Sequence, residues 1–183
     1  ETDATGVIIE IHLDNTPVTD AGLVHLKGPT KLKKLWLSEQ ITDAGLEHLQ
    51  GLTKLKELNL YRSRITGAGL VHLKAMTELQ TLNLSRTQIN DAGLVHLKEL
   101  TTLQTLFLVN TPITDAGLQH LQGLKSLQTL SLEDTSISDA GLQHLDELTN
   151  LQTLVLDDTQ INGAGLEHLN GLMDLEVLCL DNI

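Results

Sequence analysis

The sequence predicts an α/β solenoid, in which short strands alternate with short helices and each unit stacks on the next. The phrase ITDAGLEHL, beginning at Ile41, returns five times with small changes at a spacing of 24 residues, and an earlier copy begins at Val18. The phrase LKELNL at 55–60 recurs with the same period. Aromatic residues are only 2% of the chain, so the core must be aliphatic. A repeat of this length is typical of a solenoid. The later copies begin at Ile65, Ile89, Ile113, Ile137 and Ile161.

Each unit is predicted to contain a strand that buries one face. Apolar and polar residues alternate along it, so Leu58 and Leu60 should point inward while Glu57, Asn59 and Tyr61 point outward. The first strand is predicted over 7–13, and about seven units of roughly 24 residues follow it within one domain of residues 1–183. The units are predicted to start near residues 18, 41, 65, 89, 113, 137 and 161.

A short helix should follow each strand and its turn. Thr42 is of a type that caps helices, and a Ser, Thr or Asn stands at the same position of every unit. The next residue is usually Asp, which favours the positive end of a helix, although Gly67 and Gly163 replace it in two units. A stack of such units forms one continuous core. The eight positions predicted to point inward are Ile41, Ala44, Leu46, Leu49, Leu52, Leu55, Leu58 and Leu60.

Three further features of the units predict local structure. The glycine of each Ala-Gly-Leu stands at one register in every copy, which indicates close backbone packing rather than a phosphate-binding loop. The turn at 38–40 is one residue shorter than the others, and Pro29 stands where later units have a core leucine. No polar cap follows the last strand, so we expect either a longer protein or an end covered by a partner. Hydroxyl side chains that should bond the backbone occupy each turn, at Thr16, Ser63, Thr87, Thr111, Thr135 and Thr159.

The repeated pattern L-x-x-L-x-L-x-x-T-x-I-T-D-A-G-L-x-H-L resembles the leucine-rich repeats. It is most similar to the subtype with an I-T-D-x-G-L helix start, found in F-box-associated repeats and in many bacterial repeat proteins, notably of planctomycete type. The resemblance implies a right-handed horseshoe with a parallel sheet on its concave face and short helices on its convex face. Ligands of such proteins usually bind the concave face. The hydroxyl in each turn departs from the Asn or Cys of many members.

The outward strand positions are therefore the candidate partner-binding site. All three aromatic residues, Trp36, Tyr61 and Phe107, fall at such positions. They could be anchors of a binding surface, or they could reflect only the preference of aromatics for strands. The complete predicted set is His12, Trp36, Asn59, Tyr61, Arg62, Asn83, Arg86, Phe107, Val109, Glu133 and Asp157.

The charge of the chain excludes some partners. A net charge of −12 disfavours nucleic acid and anionic membranes, and it favours a protein or peptide, especially one with a basic patch. Basic residues lie mainly in the first units and acidic residues in the last, a distribution that either orients a partner or only solvates the surface. No apolar run is long enough for membrane insertion.

No catalytic, metal or cofactor site is predicted. The seven histidines that recur from His25 to His168 occupy one column, so they are expected to bond the backbone or pack on a neighbouring unit, with a pH-sensitive ladder as the alternative. Ser, His and Asp stand in separate columns rather than converging, so an enzyme is not expected. The single cysteine, Cys179, is either packed near the last strand or a reactive thiol, and it forms no internal disulfide. A cytoplasmic location is slightly favoured, but a chain that begins at Glu1 is also consistent with a trimmed secreted protein.

The leading functional hypothesis is a protein-interaction module that binds through the concave sheet. One alternative is the substrate-recognition segment of a larger ubiquitin-ligase-like or effector protein, which an F-box or catalytic segment outside this chain would reveal. Another is a passive scaffold without a dedicated ligand. The identity of the partner and the oligomeric state stay open.

Overall fold

One parallel sheet runs through the whole structure. The computed structural model describes residues 1–4, 6–27 and 31–183, and Pro29 lies outside them. Within these residues eight strands pair in chain order, each in register with the next, so equivalent residues of successive units lie side by side. The first strand is shorter than the predicted 7–13. The strands are β1 Glu10–His12, β2 Lys34–Trp36, β3 Glu57–Asn59, β4 Thr81–Asn83, β5 Thr105–Phe107, β6 Thr129–Ser131, β7 Thr153–Val155 and β8 Val177–Cys179.

The helical segment of each unit is a short α-helix, a 3₁₀ segment or both. Glycine inside the segment is a poor helix former, which favours these short elements. The α-helices are α1 Asp20–Leu23, α2 Asp43–Glu47, α3 Asp91–Leu94 and α4 Asp115–Leu118. The 3₁₀ segments are Val24–Lys27, Gly67–Leu73, Val95–Leu97, Gln119–Leu121, Asp139–His144 and Ala164–Leu169.

The core between sheet and helices is almost entirely leucine and isoleucine. Leu58 and Leu60 of β3 and its turn are fully buried, and so are their equivalents in the central units. Seven of the eight predicted inward positions of the unit at 41–60 are buried. Ala44 is the exception, because its side chain is not buried, and the neighbouring Gly45 is buried instead. The prediction for Ala44 was therefore wrong: the helix turns glycine, not alanine, toward the neighbouring unit.

Where an aspartate stands at the start of a helical segment, it ties its unit to the next one. Asp115 accepts the backbone N–H of Ser138 at 2.8 Å through Oδ1 and its hydroxyl at 2.6 Å through Oδ2. The hydroxyl of Ser138 in turn accepts the N–H of Ala140 at its own helix start, which confirms the predicted cap. The same pair of bonds joins Asp20 to Thr42, Asp43 to Thr66 and Asp91 to Thr114.

The repeated glycine makes room for this aspartate. A Cβ atom on Gly141 would lie 2.3 Å from Oδ1 of Asp115, closer than real atoms approach. The same holds for Gly45, Gly69 and Gly117 against the aspartate of the preceding unit. The predicted close packing at this glycine is confirmed, and its neighbour is a carboxylate as well as backbone.

Gly67 interrupts the aspartate ladder at one interface. Without a carboxylate there, the two backbones approach, and a Cβ atom on Gly93 would lie 2.4 Å from Cα of Gly67. The cap residue of this unit, Asn90, accepts the N–H of Gly93 at 3.2 Å. At this helix start the unit thus packs on the following unit by backbone contact rather than through an aspartate.

The predicted backbone bonds of the turn hydroxyls are confirmed. Each donates to the carbonyl oxygen three residues before it, within its own unit. Ser63 bonds Leu60 at 2.7 Å, and Thr87 bonds Leu84 at 2.6 Å. The same bond is made by Thr16, Thr111, Thr135 and Thr159.

Candidate functional site

The outward face of the sheet carries the predicted partner-binding residues in rows. We call this surface, formed by the outward side chains of β1–β8 and of the residues just after them, the strand face. The parallel register places His12 beside Trp36, Trp36 beside Asn59 and Asn59 beside Asn83. Phe107 of β5 continues this row. The in-register stacking of units therefore converts residues about 24 apart in sequence into neighbours.

The aromatic side chains of the strand face are accessible to solvent. Tyr61 is 40% exposed, and Trp36 and Phe107 are half-buried. The buried core beneath them consists of leucine and isoleucine with one methionine, Met76, and holds no aromatic side chain. No aromatic residue of this chain is therefore used to build the interior.

The indole of Trp36 is held in a fixed orientation. Its Nε1–H donates to Oε1 of Glu57 at 2.7 Å. The ring of His12 packs against it edge-on, with the ring centroids 4.0 Å apart. Both contacts come from adjacent strands, so the sheet itself sets the position of the ring.

Charged side chains surround this aromatic pair. Nε2 of His12 lies 2.8 Å from Oε1 of Glu10, and Nζ of Lys34 lies 3.8 Å from carboxylates of both Glu10 and Glu57. The hydrogen bond with His12, followed by the charge of Lys34, lowers the pKa of Glu10 below its ordinary value. Glu10 is therefore ionised down to a lower pH than a free glutamate, and the network keeps its negative charge.

A small cleft opens beside Trp36 at the end of the strands. Its volume is about 240 Å³. Four of the predicted site residues share it, with four neighbours that the prediction did not include. The lining residues are Asp14, Asn15, Trp36, Leu37, Glu39, Asn59, Tyr61 and Arg62.

The two predicted arginines lie in the turns that follow the strands. Arg62 and Arg86 both adopt positive φ, 59° and 56°. Nη1 of Arg62 lies 3.2 Å from Oε1 of Glu39, and both side chains are about half exposed. Arg86 is exposed. Both cations thus stand at the rim of the strand face rather than at its centre.

The structure does not gather all the predicted residues into one site. Phe107 is three strands from Trp36, about 14 Å at the usual strand spacing. Val109 lies near Phe107 in the next row, while Glu133 and Asp157 belong to the strand ends of β6 and β7. The predicted set therefore forms an extended surface with one compact part, the cleft beside Trp36.

Sequence reasoning missed the acidic partners of this compact part. Glu57 was predicted only to point outward from its strand, Glu39 was only part of a short turn, and Glu10 was not singled out. The contact of Glu57 with Trp36 depends on which strands are adjacent, whereas Glu10 and His12 are two residues apart on the same strand, β1. The one-residue deletion at 38–40 was the signal that could have pointed to the cleft.

The repeated histidines lie in or just after the helical segments, on the other side of the core from the strand face. Nδ1 of His72 lies 2.7 Å from Nε2 of Gln50, and Nδ1 of His144 lies 3.4 Å from Nε2 of Gln122. For these two the expected packing on a neighbouring unit is confirmed, but the partner is a glutamine side chain and not the backbone. Burial, with help from nearby lysines, lowers the pKa of His96 below its ordinary value.

Two other kinds of site are absent from the described residues. No group of three or more His, Cys, Asp or Glu side chains is placed to hold a metal ion there. No helix in the same part of the chain has the length and apolar character needed to cross a bilayer. Cys179 is a free, half-buried thiol on β8.

Comparisons with known proteins bear on the fold. Models of leucine-rich repeats match residues 101–161 and 75–98, and they do not distinguish subtypes of the repeat. No curated protein matches the chain. An internalin (inlF) from Listeria monocytogenes is similar in structure, with a TM-score of 0.80 and 24% identity over 100% of this chain and 52% of its own, so this chain spans about half of that protein. Internalin C2 (inlC2) of the same organism has a TM-score of 0.69 and 29% identity over 93% of this chain and 80% of its own. The repeats, the single parallel sheet and these likenesses together show that the chain has the fold of a leucine-rich-repeat solenoid.

Proposed function

We propose that this chain is a protein-interaction module whose partner, a protein or peptide, docks on the strand face. Solenoids of this kind present extended concave surfaces for binding, and leucine-rich repeats serve in general as protein-interaction modules. The observation that carries the proposal is the placement of the aromatics. Trp36, Tyr61 and Phe107 all lie on the strand face, although a core of aliphatic side chains lies directly beneath it.

Partly exposed aromatic side chains can contribute to the free energy of binding. A partner that covers Trp36 or Phe107 would remove apolar surface from water, and a buried aromatic anchor typically contributes about 2 kcal/mol or more to binding. Trp36 is already fixed by Glu57 and His12, so little side-chain freedom would be lost when a partner covers it. Both facts favour Trp36 as an anchor.

The acidic end of the strand face favours a partner with a basic patch. Glu133, Asp157 and Asp181 follow β6, β7 and β8 in one row. None of them forms an ion pair with a cation among the described residues. Adjacent carboxylates of like charge repel each other, and a basic surface placed over them would relieve that repulsion.

Affinity capture followed by binding measurements tests this function. A partner captured by the wild-type chain is purified, and its affinity is measured by calorimetry for wild type, Trp36→Ala and Phe107→Ala. We expect each variant to weaken binding about tenfold or more, the effect of losing an anchor of at least about 1.4 kcal/mol. Val71, which is 38% exposed in a helical segment, provides the matched control, since Val71→Ala removes apolar surface from another face.

Circular dichroism should show that all three variants keep the fold. Unchanged affinity in both aromatic variants would contradict docking on the strand face. The same would follow if Val71→Ala alone weakened binding, because the partner would then lie on the helical side. If no captured protein binds the chain once it has been purified, the chain is instead a scaffold without a dedicated partner.

A further inference from the structure

The cleft beside Trp36 exists because one turn of the solenoid is short. Only Ser38, Glu39 and Gln40 separate the strand end at Leu37 from Ile41, whereas four residues fill the same turn in the following units. Each of the seven other turns contains one residue with positive φ, the first being Asn15 and the last Asn182. No residue of 38–40 has a positive φ. The edge of the strand face is therefore recessed at this unit.

The short turn also breaks the hydrogen bonds that join neighbouring turns. The N–H of Arg62 donates to the carbonyl oxygen of Ser85 at 3.0 Å, and four later turns repeat this bond. In the described part of the chain the N–H of Asn15 makes no equivalent bond, and the carbonyl oxygen of Ser38 accepts from Ile41 at 3.2 Å. The cleft beside Trp36, which we call the notch, is therefore open, and the backbone N–H of Asn15 is a hydrogen-bond donor without a backbone acceptor there.

Size decides what kind of group the notch can take. Its volume of about 240 Å³ lies below the roughly 300–1,000 Å³ of pockets that enclose small molecules. A single long side chain of a docked protein fits such a space. Two aromatic rings, those of Trp36 and Tyr61, line it.

Charge decides which side chain fits. The notch is lined by two carboxylates, Asp14 and Glu39, and by one cation, Arg62, which Glu39 already pairs at 3.2 Å. Asp14 is 46% exposed, and its short contact is the amide of Asn15 at 3.1 Å, while Nδ1 of His12 lies 3.8 Å away. One carboxylate charge is therefore left over beside two aromatic rings, an arrangement that attracts a cation.

We propose that this notch receives one arginine side chain of the docked partner. Arginine is favoured over lysine because its planar guanidinium stacks on aromatic rings and bonds a carboxylate through a fork of N–H donors. Its guanidinium would lie against Trp36 or Tyr61 and donate to Asp14. This inference rests on the proposed function, and it adds the chemistry of one contact to it.

Titration with short peptides tests the arginine site directly. The probe is acetyl-Gly-Arg-Gly-amide, and matched peptides carry lysine or the neutral isostere citrulline in place of arginine. Trp36 is the sole tryptophan, so its indole N–H gives one unambiguous NMR signal. We expect a saturable shift with the arginine peptide, binding at least about fivefold weaker with lysine, a difference of about 1 kcal/mol, and no shift with citrulline.

Two charge-removing variants make the site assignment specific. Asp14→Asn should weaken the arginine peptide about fivefold or more, since it removes the free carboxylate. Asp146→Asn removes the same charge from an exposed position on the helical side, outside the strand face, and should leave the affinity unchanged. Both positions are at the surface, and thermal unfolding checks that each variant stays folded.

Several outcomes would overturn the inference. These are no shift with the arginine peptide up to its solubility limit, equal binding of the lysine or citrulline peptide, or equal weakening by both variants. The proposed function is judged separately with the purified partner. If Phe107→Ala weakens the partner while the arginine peptide does not bind, the notch assignment fails and docking on the strand face stands.

Discussion

The contact between Asp115 and Gly141 allows a sharp test of how neighbouring units hold together. Truncation in Asp115→Ala removes two hydrogen bonds from Ser138, one from its N–H at 2.8 Å and one from its hydroxyl at 2.6 Å. Hydrogen bonds to charged groups contribute roughly 1.5–3 kcal/mol when buried, and both partners here are half-buried. We therefore expect the free energy of unfolding to fall by about 2 kcal/mol in total.

Gly141→Ala disrupts the same contact by changing the glycine instead of the aspartate. The added Cβ would lie 2.3 Å from Oδ1 of Asp115, so the carboxylate must leave its position and lose its bonds to Ser138. Alanine is intrinsically better than glycine in a helix by about 1 kcal/mol, which offsets part of this loss. The net cost should be about 1 kcal/mol.

The double variant shows whether the two substitutions act on one shared contact or lower the stability independently. Once Asp115 is truncated, the two closest contacts of the Cβ added by Gly141→Ala are gone, and the next is Cγ2 of Ile137 at 3.2 Å, which a small shift relieves. Gly141→Ala should then be neutral or stabilising, so the double variant should lose no more stability than Asp115→Ala alone. The coupling between the two sites should amount to roughly 1–2 kcal/mol, in the range found for residues in direct contact.

Urea unfolding followed by circular dichroism measures all four proteins of this cycle. Asp146→Ala serves as the control, because Asp146 is exposed and should change stability by no more than about 0.5 kcal/mol. Additive losses, with coupling below about 0.5 kcal/mol, would refute the steric and hydrogen-bond relation between Asp115 and Gly141.

Two further predictions concern the core and the histidine column. Leu106→Ala in β5 leaves a cavity at a fully buried position, and urea unfolding should show a loss of about 2–5 kcal/mol, whereas a loss below about 1 kcal/mol would contradict tight packing there. The pKa of His96 is lowered in the folded chain, chiefly by burial, so the unfolded chain takes up a proton first as pH falls below the ordinary value of 6.5. The wild type should therefore lose stability as the pH falls from that value to the lowered pKa. Thermal unfolding over the same pH range should show a smaller loss for His96→Gln. An identical pH dependence of the two proteins would exclude this effect.

The periodic sequence was sufficient to predict the architecture. A 24-residue repeat with leucines at fixed positions leaves one way to bury them, since each unit must stack on the next. The inward leucines, the caps at Thr42 and Ser138 and the turn hydroxyls all follow from local chemistry, and the structure confirms them.

Local chemistry alone misjudged residues whose partner lies in another unit. Ala44 looked like a core position because it is small and apolar, but the space beside the neighbouring unit is taken by Gly45 and the carboxylate of Asp20. The aspartate stands in the first turn of its own helix, as expected, but it also binds the cap of the next unit, which was not predicted. Such contacts depend on how far each unit is shifted sideways relative to the next, and the sequence of a single repeat does not show this shift.

The candidate site shows the same division between sequence and tertiary structure. Its aromatics and their outward direction could be predicted from the two-residue period of a strand, and the short turn at 38–40 could be counted in the sequence. That the short turn opens a notch, that Trp36 and Tyr61 share it with Asp14, and that Glu39 pairs Arg62 were decided only by the stacking of three successive units. The repeat determines which side chains face outward, whereas the register between strands determines which of them meet.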